Sequence, residues 1–411
     1  MYQEIDRCRI SGSHNLIPVL SLGTQSLTGV FPKEPGSAIT EGPLDLVWCP
    51  ASGLLQLKQS YDLREMYGLN YGYRSGLNQS MVAHLHRKVR YLERLCPLSA
   101  GDAAIDIGSN DGTLLRAYSA SCRRIGVDPT GEKFRQYYTG GLELVPDFFS
   151  AALVREVLGN SRAKIVTSIA MFYDLEDPAA FVSQVAGLLD PRGIWHFEQS
   201  YMPSMLRTNA YDTICHEHLE YYSLATVKAL VERCGLRIVD VQTNAINGGS
   251  FAVTACLREA PYRPNATVID WLLGQEDRMG LTTPRPYREF EQRVFEHRNN
   301  LVRLIHALRA DGKTICGYGA STKGNVLLQF CGFSARDIRA IAEVNPDKFG
   351  CFTPGTNIPI VSESEARAID PDYFLVLPWH FKEGILAREQ AYLEAGGKML
   401  FPLPEIEIVG G

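Results

Sequence analysis

Apolar and polar positions alternate along this chain in four successive regimes. In residues 1–65, Ile17-Pro-Val-Leu-Ser-Leu-Gly23 and the run from Leu44 to Leu57 repeat with a period of two around a Pro/Gly-rich loop, predicting a small β-rich unit. A tyrosine- and glycine-rich loop, residues 67–78, leads into a helix from about Ser80 to Cys96. From 101 to about 255, short apolar runs at 103–107, 124–128, 164–169, 193–198, 236–242 and 250–256 alternate with helical segments. That is the pattern of a doubly wound parallel sheet. Between 257 and 310, Pro-rich pieces flank two helices, the second placing Tyr287, Phe290, Val294, Leu301, Ile305 and Leu308 on one face. This connector packs against both neighbours, and its apolar stripe reads as core. The last regime is again strand, glycine turn and helix, followed by strands at 338–344, 373–377 and 398–401. The predicted fold is α/β, in three parts: a β-rich unit (1–65), a central Rossmann-like domain (66–256), and a connector with a second Rossmann-like domain (257–411).

Composition narrows the function classes. The 411 residues are too many for one core. A net charge of −5 leaves no basic excess to neutralise phosphates, which argues against a nucleic-acid binder. No apolar run reaches the length of a membrane span, and the first residues do not form a signal peptide. Ten cysteines scattered from Cys8 to Cys351 with no close pair suit a reduced compartment, so a cytoplasmic location is expected.

The densest chemistry starts at Ala103-Ala-Ile-Asp-Ile-Gly-Ser-Asn-Asp-Gly112. It reads as strand, tight turn, then amphipathic helix, with Gly108 and Gly112 where a Cβ-free backbone approaches a ligand. Asn110 replaces the middle glycine of a dinucleotide fingerprint, and Asp106 would repel a pyrophosphate but suits the ammonium of S-adenosylmethionine. Asp128, ending the next strand, is placed to hold ribose hydroxyls. Phe148 and Ser168 fall near the ends of further strands and join the cofactor candidates.

Four other regions carry candidates. Cys8-Arg-Ile-Ser11 and Cys49-Pro-Ala-Ser52 sit like paired zinc knuckles, yet serine is a poor zinc ligand, and two thiolates do not close a site even if His14 helped. In the loop before the first turn, Tyr71, Tyr73 and Arg74 can face substrate. Residues 211–223 hold His216, Glu217 and His218 among three tyrosines, open to reading as a metal pair, a structural pair or a general base, of which the base is favoured. Finally Gly317-Tyr-Gly-Ala-Ser-Thr-Lys-Gly-Asn325 makes a second turn, with Ser321, Thr322 and Lys323 opening a helix that would attract a phosphate, and Glu343 placed to reach a ribose. Two nucleotide-type turns suggest one adenosyl cofactor and one nucleotide-bearing substrate.

The joint order of the knuckles, Ile107-Gly-Ser-Asn-Asp-Gly112, Asp212-Thr-Ile-Cys-His-Glu-His-Leu219, Asn247-Gly-Gly-Ser250, Gly317 to Asn325 and Pro354-Gly-Thr-Asn-Ile-Pro359 resembles the S-adenosylmethionine-dependent sugar C-methyltransferases. Those enzymes methylate C-3 of nucleotide-linked 4-keto-6-deoxy sugars. The resemblance spans essentially the whole chain. It implies a zinc-binding N-terminal unit, a central methyltransferase domain and a C-terminal domain for the sugar nucleotide, linked to thymidine or guanosine diphosphate. It places Asp106, Gly108, Asn110, Gly112 and Asp128 at the cofactor, Glu217 and His218 as the catalytic pair, and Tyr71 or Tyr73 in the tyrosine loop. It also puts Lys323 at the diphosphate, and Gly317, Gly319, Ser321 and Asn325 of the same turn, with Glu343 and Asn247, are the accompanying substrate-side candidates. Tyr73 or Tyr222 would donate to an enolate oxygen. Serines at 11 and 52 remove two of the family's zinc ligands, so no metal is expected. Cys215, Met171 and Asn247 also depart from the family's usual residues. A nicotinamide-dependent sugar oxidoreductase and a non-catalytic sugar-nucleotide-binding protein are the alternatives, and the assembly expected is a monomer or small homo-oligomer.

Overall fold

The computed structural model describes residues 2–67 and 73–410, so Tyr71 lies outside the described residues. Seven strands form the central sheet in the order Leu236–Asn244, Ser250–Leu257, Leu189–Ser200, Ala163–Ile169, Ala103–Ile107, Arg123–Val127, Leu142–Val145. The last five run parallel, but Ser250–Leu257 is antiparallel to both neighbours. Its direction follows from the chain: only five residues separate it from Leu236–Asn244, enough for a hairpin and too few for a parallel crossover. Ala103–Ile107 is buried at every position, as expected of a strand covered on both faces.

The second Rossmann-like sheet runs Ile360–Ser362, Ile341–Glu343, Ile315–Tyr318, Tyr373–Val376, Lys398–Phe401, Glu407–Val409, parallel except for the last strand. The helix Arg285–Ala310 leads into it, burying Tyr287, Phe290, Val294, Leu301 and Ile305. His297, on the same face, makes a hydrogen bond of 3.0 Å with the Tyr211 hydroxyl and lies 2.5 Å from the Pro402 carbonyl.

The N-terminal sheet is antiparallel, in the order Glu220–Tyr221, Leu55–Leu57, Glu41–Trp48, Ile17–Ser26. Its edge strand, Glu220–Tyr221, comes from the middle of the sequence and follows directly on His218. One hydrophobic core joins this sheet, residues 202–221, the long helix and the C-terminal sheet, while the central sheet has cores of its own on its two faces. The His218 loop therefore packs with the outer two parts of the chain. Among the described residues no helix is long and apolar enough to cross a membrane.

Candidate active site

The first turn is built by its neighbours. Gly108 and Gly112 have φ of +74° and +73°, and Asn110 also lies in the left-handed region at +50°, where asparagine is among the better tolerated side chains. The Asn110 amide donates to Asp128 Oδ2 at 2.7 Å, and Thr130 donates to Asp128 Oδ1 through both its amide (2.7 Å) and its hydroxyl (2.5 Å). Two carboxylate oxygens offer about four acceptor sites, so one remains for a ribose hydroxyl. The aromatic loop is laced onto the turn: Ser75 N donates to Asn110 Oδ1 (2.9 Å), Gly76 N to Asp111 Oδ2 (3.1 Å), and Asn110 Nδ2 to the Tyr73 carbonyl (3.2 Å). Arg74 stacks on Tyr137, donates to its hydroxyl, and lies 3.9 Å from Asp111. Tyr73 and Arg74 thus belong to the cofactor side of the molecule. A Cβ on Gly108 would sit 3.0 Å from Met171 Cγ, so the turn can pass under that side chain only without one. The Cβ-free turn, the acid at the next strand end and the covering loop together fit S-adenosylmethionine.

Several expectations at this turn need correction. The predicted helix is a single 3₁₀ turn, Leu115–Ala117, so the turn offers no helix N-terminus. Asp106 is folded against the neighbouring strand, where it accepts from Thr167 Oγ1 at 2.6 Å, and burial pushes its carboxyl up to about 7. It does not present an exposed carboxylate to an ammonium group. Ser168 points into the core and accepts from Trp195 Nε1 at 2.9 Å. Phe148 lies half-buried beyond Leu142–Val145, one strand past Asp128.

A second cluster forms around His218. The Thr213 carbonyl, 2.8 Å from His218 Nδ1, can only accept, which fixes the proton on Nδ1 and leaves Nε2 with a lone pair. The Tyr173 ring packs 4.1 Å from the imidazole. Burial first, and then the Lys323 charge, bring the imidazole down to about 3, so it is neutral at ordinary pH. Lys323 reaches in from the C-terminal domain and donates to the Asn247 carbonyl at 2.8 Å. Asn247 takes part through its backbone, in a left-handed turn with φ +56°. Asp212, one residue before Thr213 and also acted on by Lys323, accepts from Trp379 Nε1 at 2.7 Å.

The two clusters are joined by residues 170–174, which leave the C-terminal end of Ala163–Ile169. Ala170 takes a left-handed φ of +55°, held by a 2.7 Å bond from its amide to the Glu198 carbonyl. Met171 then covers Gly108 and Tyr173 covers His218. Such backbone persists only where its surroundings over-determine it. The sequence reading missed Tyr173, Trp379 and the carboxylate of Asp212. Only Asp212 carried a signal, its closeness to the histidines.

Glu217 does not orient His218. Its carboxyl turns toward the N-terminal unit, with Oε1 2.5 Å from where a Cβ on Gly29 would lie, and burial raises its pKa. The stretch is a turn at 216–217, so His216 faces the Tyr61 ring 4.7 Å away. Tyr222 also leaves the site: its ring stacks on Phe172 at 5.2 Å in the central core, and its hydroxyl feels Glu220, Arg9 and Cys8.

The second glycine turn is filled by the protein itself. Gly317 lies inside a strand against Ile341, and a Cβ on Gly319 would meet Pro378 Cγ at 2.8 Å. Ser321 caps its helix by accepting from the Gly324 amide, and Asn325 donates to the Thr28 carbonyl at 2.7 Å. Glu343 accepts from the amides of Ala320, Val344 and Asn345 and faces Lys348 at 3.8 Å, so the chain already uses the carboxylate expected on a ribose.

The knuckles of the N-terminal unit keep their turns but not a zinc donor set. Gly12 N donates to the Cys8 carbonyl and Gly53 N to that of Cys49, both glycines in left-handed conformation. Across the pair, Cys8 Sγ lies 3.2 Å from Ser52 Oγ and Ser11 Oγ lies 3.4 Å from Cys49 Sγ. Structural zinc needs four thiolate or imidazole ligands, and a serine hydroxyl does not ionise to supply one. His14 is turned outward to the Asp6 carbonyl at 2.9 Å. The residues present do not fit the metal.

Three family models match the chain: a zinc binding domain over residues 8–67, a methyltransferase domain over 81–241 and a C-methyltransferase C-terminal domain over 245–404. The chain belongs to this family and is an S-adenosylmethionine-dependent C-methyltransferase. It is similar to the C-methyltransferase NovU of Streptomyces niveus, with 33% identity over 409 residues, covering 98% of this chain and 97% of that one. Among solved structures it is similar to a methyltransferase bound to the Trm112 activator of Haloferax volcanii (16% identity, TM-score 0.36, 44% of this chain and 94% of that one). It is also similar to the magnesium protoporphyrin IX methyltransferase of Synechocystis (15% identity, TM-score 0.32, 43% and 82%).

Proposed function

We propose that this enzyme methylates C-3 of a nucleotide-linked 4-keto-6-deoxy sugar, with His218 as the base. The observation that carries the reading is the Thr213 carbonyl on His218 Nδ1, which leaves Nε2 of a half-buried imidazole as the acceptor, linked to the first glycine turn through Met171 and Tyr173. Bound S-adenosylmethionine supplies a methyl group on a sulfonium. Gly108, Asn110, Gly112 and Asp128 hold it, with Tyr73, Arg74 and Phe148 at the rim. A ketone at C-4 acidifies the hydrogen on C-3, so a neutral imidazole, weak in water, suffices when the resulting enolate is stabilised. His218 Nε2 takes that proton while the Thr213 carbonyl keeps the other on Nδ1. Tyr173 and the surrounding core limit water at the imidazole. The relation to NovU supports C-methylation, and the motif order that resembles the sugar C-methyltransferases supports a sugar substrate carried on thymidine or guanosine diphosphate, held between the central and C-terminal domains.

The test is incubation with each nucleotide-linked keto sugar and the methyl donor, followed by mass spectrometry for a gain of one methyl group. His218→Asn should bind both ligands normally and lose roughly 10²- to 10⁴-fold in turnover, the usual contribution of a positioned base. Full activity in that variant would remove His218 from the role.

A further inference from the structure

Lys323 comes to the His218 loop from another domain, its Nζ donating to the Asn247 carbonyl at 2.8 Å. The next residue, Gly248, lies against the Trp379 ring, and Trp379 Nε1 donates to Asp212 at 2.7 Å. The carbonyl that follows Asp212, on Thr213, holds His218 Nδ1 at 2.8 Å. The Lys323 ammonium has three donors, one of which is spent on the Asn247 carbonyl. The other groups it acts on are Asp212, Cys215 and His380. Asp212 lies beyond ion-pair distance and is itself held by Trp379. Two donors thus remain on an ammonium tied through Asn247, Trp379 and Asp212 to the loop that carries the base.

The geometry of the substrate class named above then decides what Lys323 can meet. In a 4-keto sugar nucleotide the diphosphate hangs from C-1 and the ketone from C-4, on opposite ends of the ring. His218 must reach the hydrogen on C-3, next to the ketone. A cation grouped with that imidazole therefore faces the ketone end. We propose that Lys323 binds no phosphate and instead donates to the C-4 oxygen, stabilising the enolate that forms as His218 takes the proton. In that step the C–H pair becomes the C-3/C-4 double bond, the carbonyl pair moves onto oxygen, and the proton resides on Nε2. A preorganised donor at such an oxygen typically contributes about 10²–10³ in rate. Lys323 also disfavours the imidazolium, so the base stays neutral until substrate arrives.

This rests on the proposed sugar ketone chemistry, and the experiment separates the two. Exchange of the C-3 hydrogen for deuterium is followed on a thymidine-diphosphate-linked 4-keto-6-deoxy sugar and its guanosine counterpart, with S-adenosylhomocysteine replacing the donor. If the unaltered enzyme neither exchanges nor methylates them, the proposed function fails and this assignment with it. Given exchange, Lys323→Met should slow it by about 10²–10³ with nucleotide-sugar affinity changed less than about twofold. The acid limb of its pH profile should move upward, because Asp212, Cys215 and His380 remain but no cation opposes protonation of His218. Lys323→Arg should recover part of the rate. Should the methionine variant melt early, Lys323→Gln carries the same measurements. Unchanged exchange with affinity weakened tenfold or more would return Lys323 to the diphosphate, and a loss with no shift of the acid limb and no rescue by arginine would make its role structural; either overturns the proposal.

Discussion

Restoring the two missing thiols should turn the N-terminal knuckles into a zinc site. The variant is Ser11→Cys with Ser52→Cys. Zinc–sulfur bonds of about 2.3 Å place tetrahedral sulfurs about 3.8 Å apart. The present contacts across the knuckles are 3.2 and 3.4 Å, so each must open by about half an ångström, comparable to the extra reach of sulfur over oxygen. Both turn glycines are already in left-handed conformation, as such knuckles require, so the turns themselves need not move. At free zinc a thousandfold above Kd the gain is about 4 kcal/mol. The assay is zinc content by elemental analysis with thermal denaturation in the presence and absence of chelator. The unaltered protein should hold no zinc at this site and be indifferent to chelator; the double variant should hold one ion per chain and lose its added stability when the ion is stripped. One zinc per unaltered chain, or a double variant that takes up none, would refute the reasoning.

Asp106 should be a liability to the ligand-free fold above neutrality. Its folded-state pKa of about 7 exceeds the unfolded value near 4, so stability is lost as pH rises between them, up to about 4 kcal/mol, and Asp106→Asn should raise Tm at pH 8 but not at pH 4. Glu198 behaves oppositely. Buried with His84 at 2.5 Å, Lys88 at 2.6 Å and Asn244 at 2.7 Å, it is held down to about 2 although burial acts against this. Its contribution is therefore complete above about pH 5 and is lost as pH falls toward 2; Glu198→Gln, which leaves Lys88 uncompensated, should cost about 3–5 kcal/mol in urea denaturation at pH 7. Tyr222→Phe removes a buried hydroxyl with no partner, so turnover and Tm should stay near those of the unaltered enzyme, whereas a large loss of turnover would put the hydroxyl back at the substrate.

Local signals were readable where burial or chain geometry dictates the residue. The run at 103–107 is apolar but for Asp106 because both sheet faces are covered, and the glycines at 108 and 112 mark left-handed backbone. The helices around 80–96 and 286–310 lie within a residue of the expected bounds. What could not be read is set by distant contacts. Glu217 is adjacent to His218 in sequence but faces Gly29, and the carbonyl that orients the imidazole carries no side-chain signature. Lys323 follows a glycine turn that resembles a phosphate site, and only the packing of two domains reveals that it donates to the Asn247 carbonyl on the side of the His218 loop. The antiparallel run of Ser250–Leu257 turns on hairpin length, which hydrophobic periodicity does not report.

Glu220 and Tyr221 pair with Gln56 and Leu55, and the Leu57 amide bonds to the Leu219 carbonyl. The His218 loop is thereby sewn into a sheet whose remaining strands are synthesised first. A shortened polypeptide beginning near residue 66 would retain every group around the first glycine turn and still lack the seam that holds the imidazole in place. With no zinc donor set at the knuckles, strand pairing is what ties the amino-terminal segment to the imidazole, and that segment works as the anvil against which the transferase half is shaped.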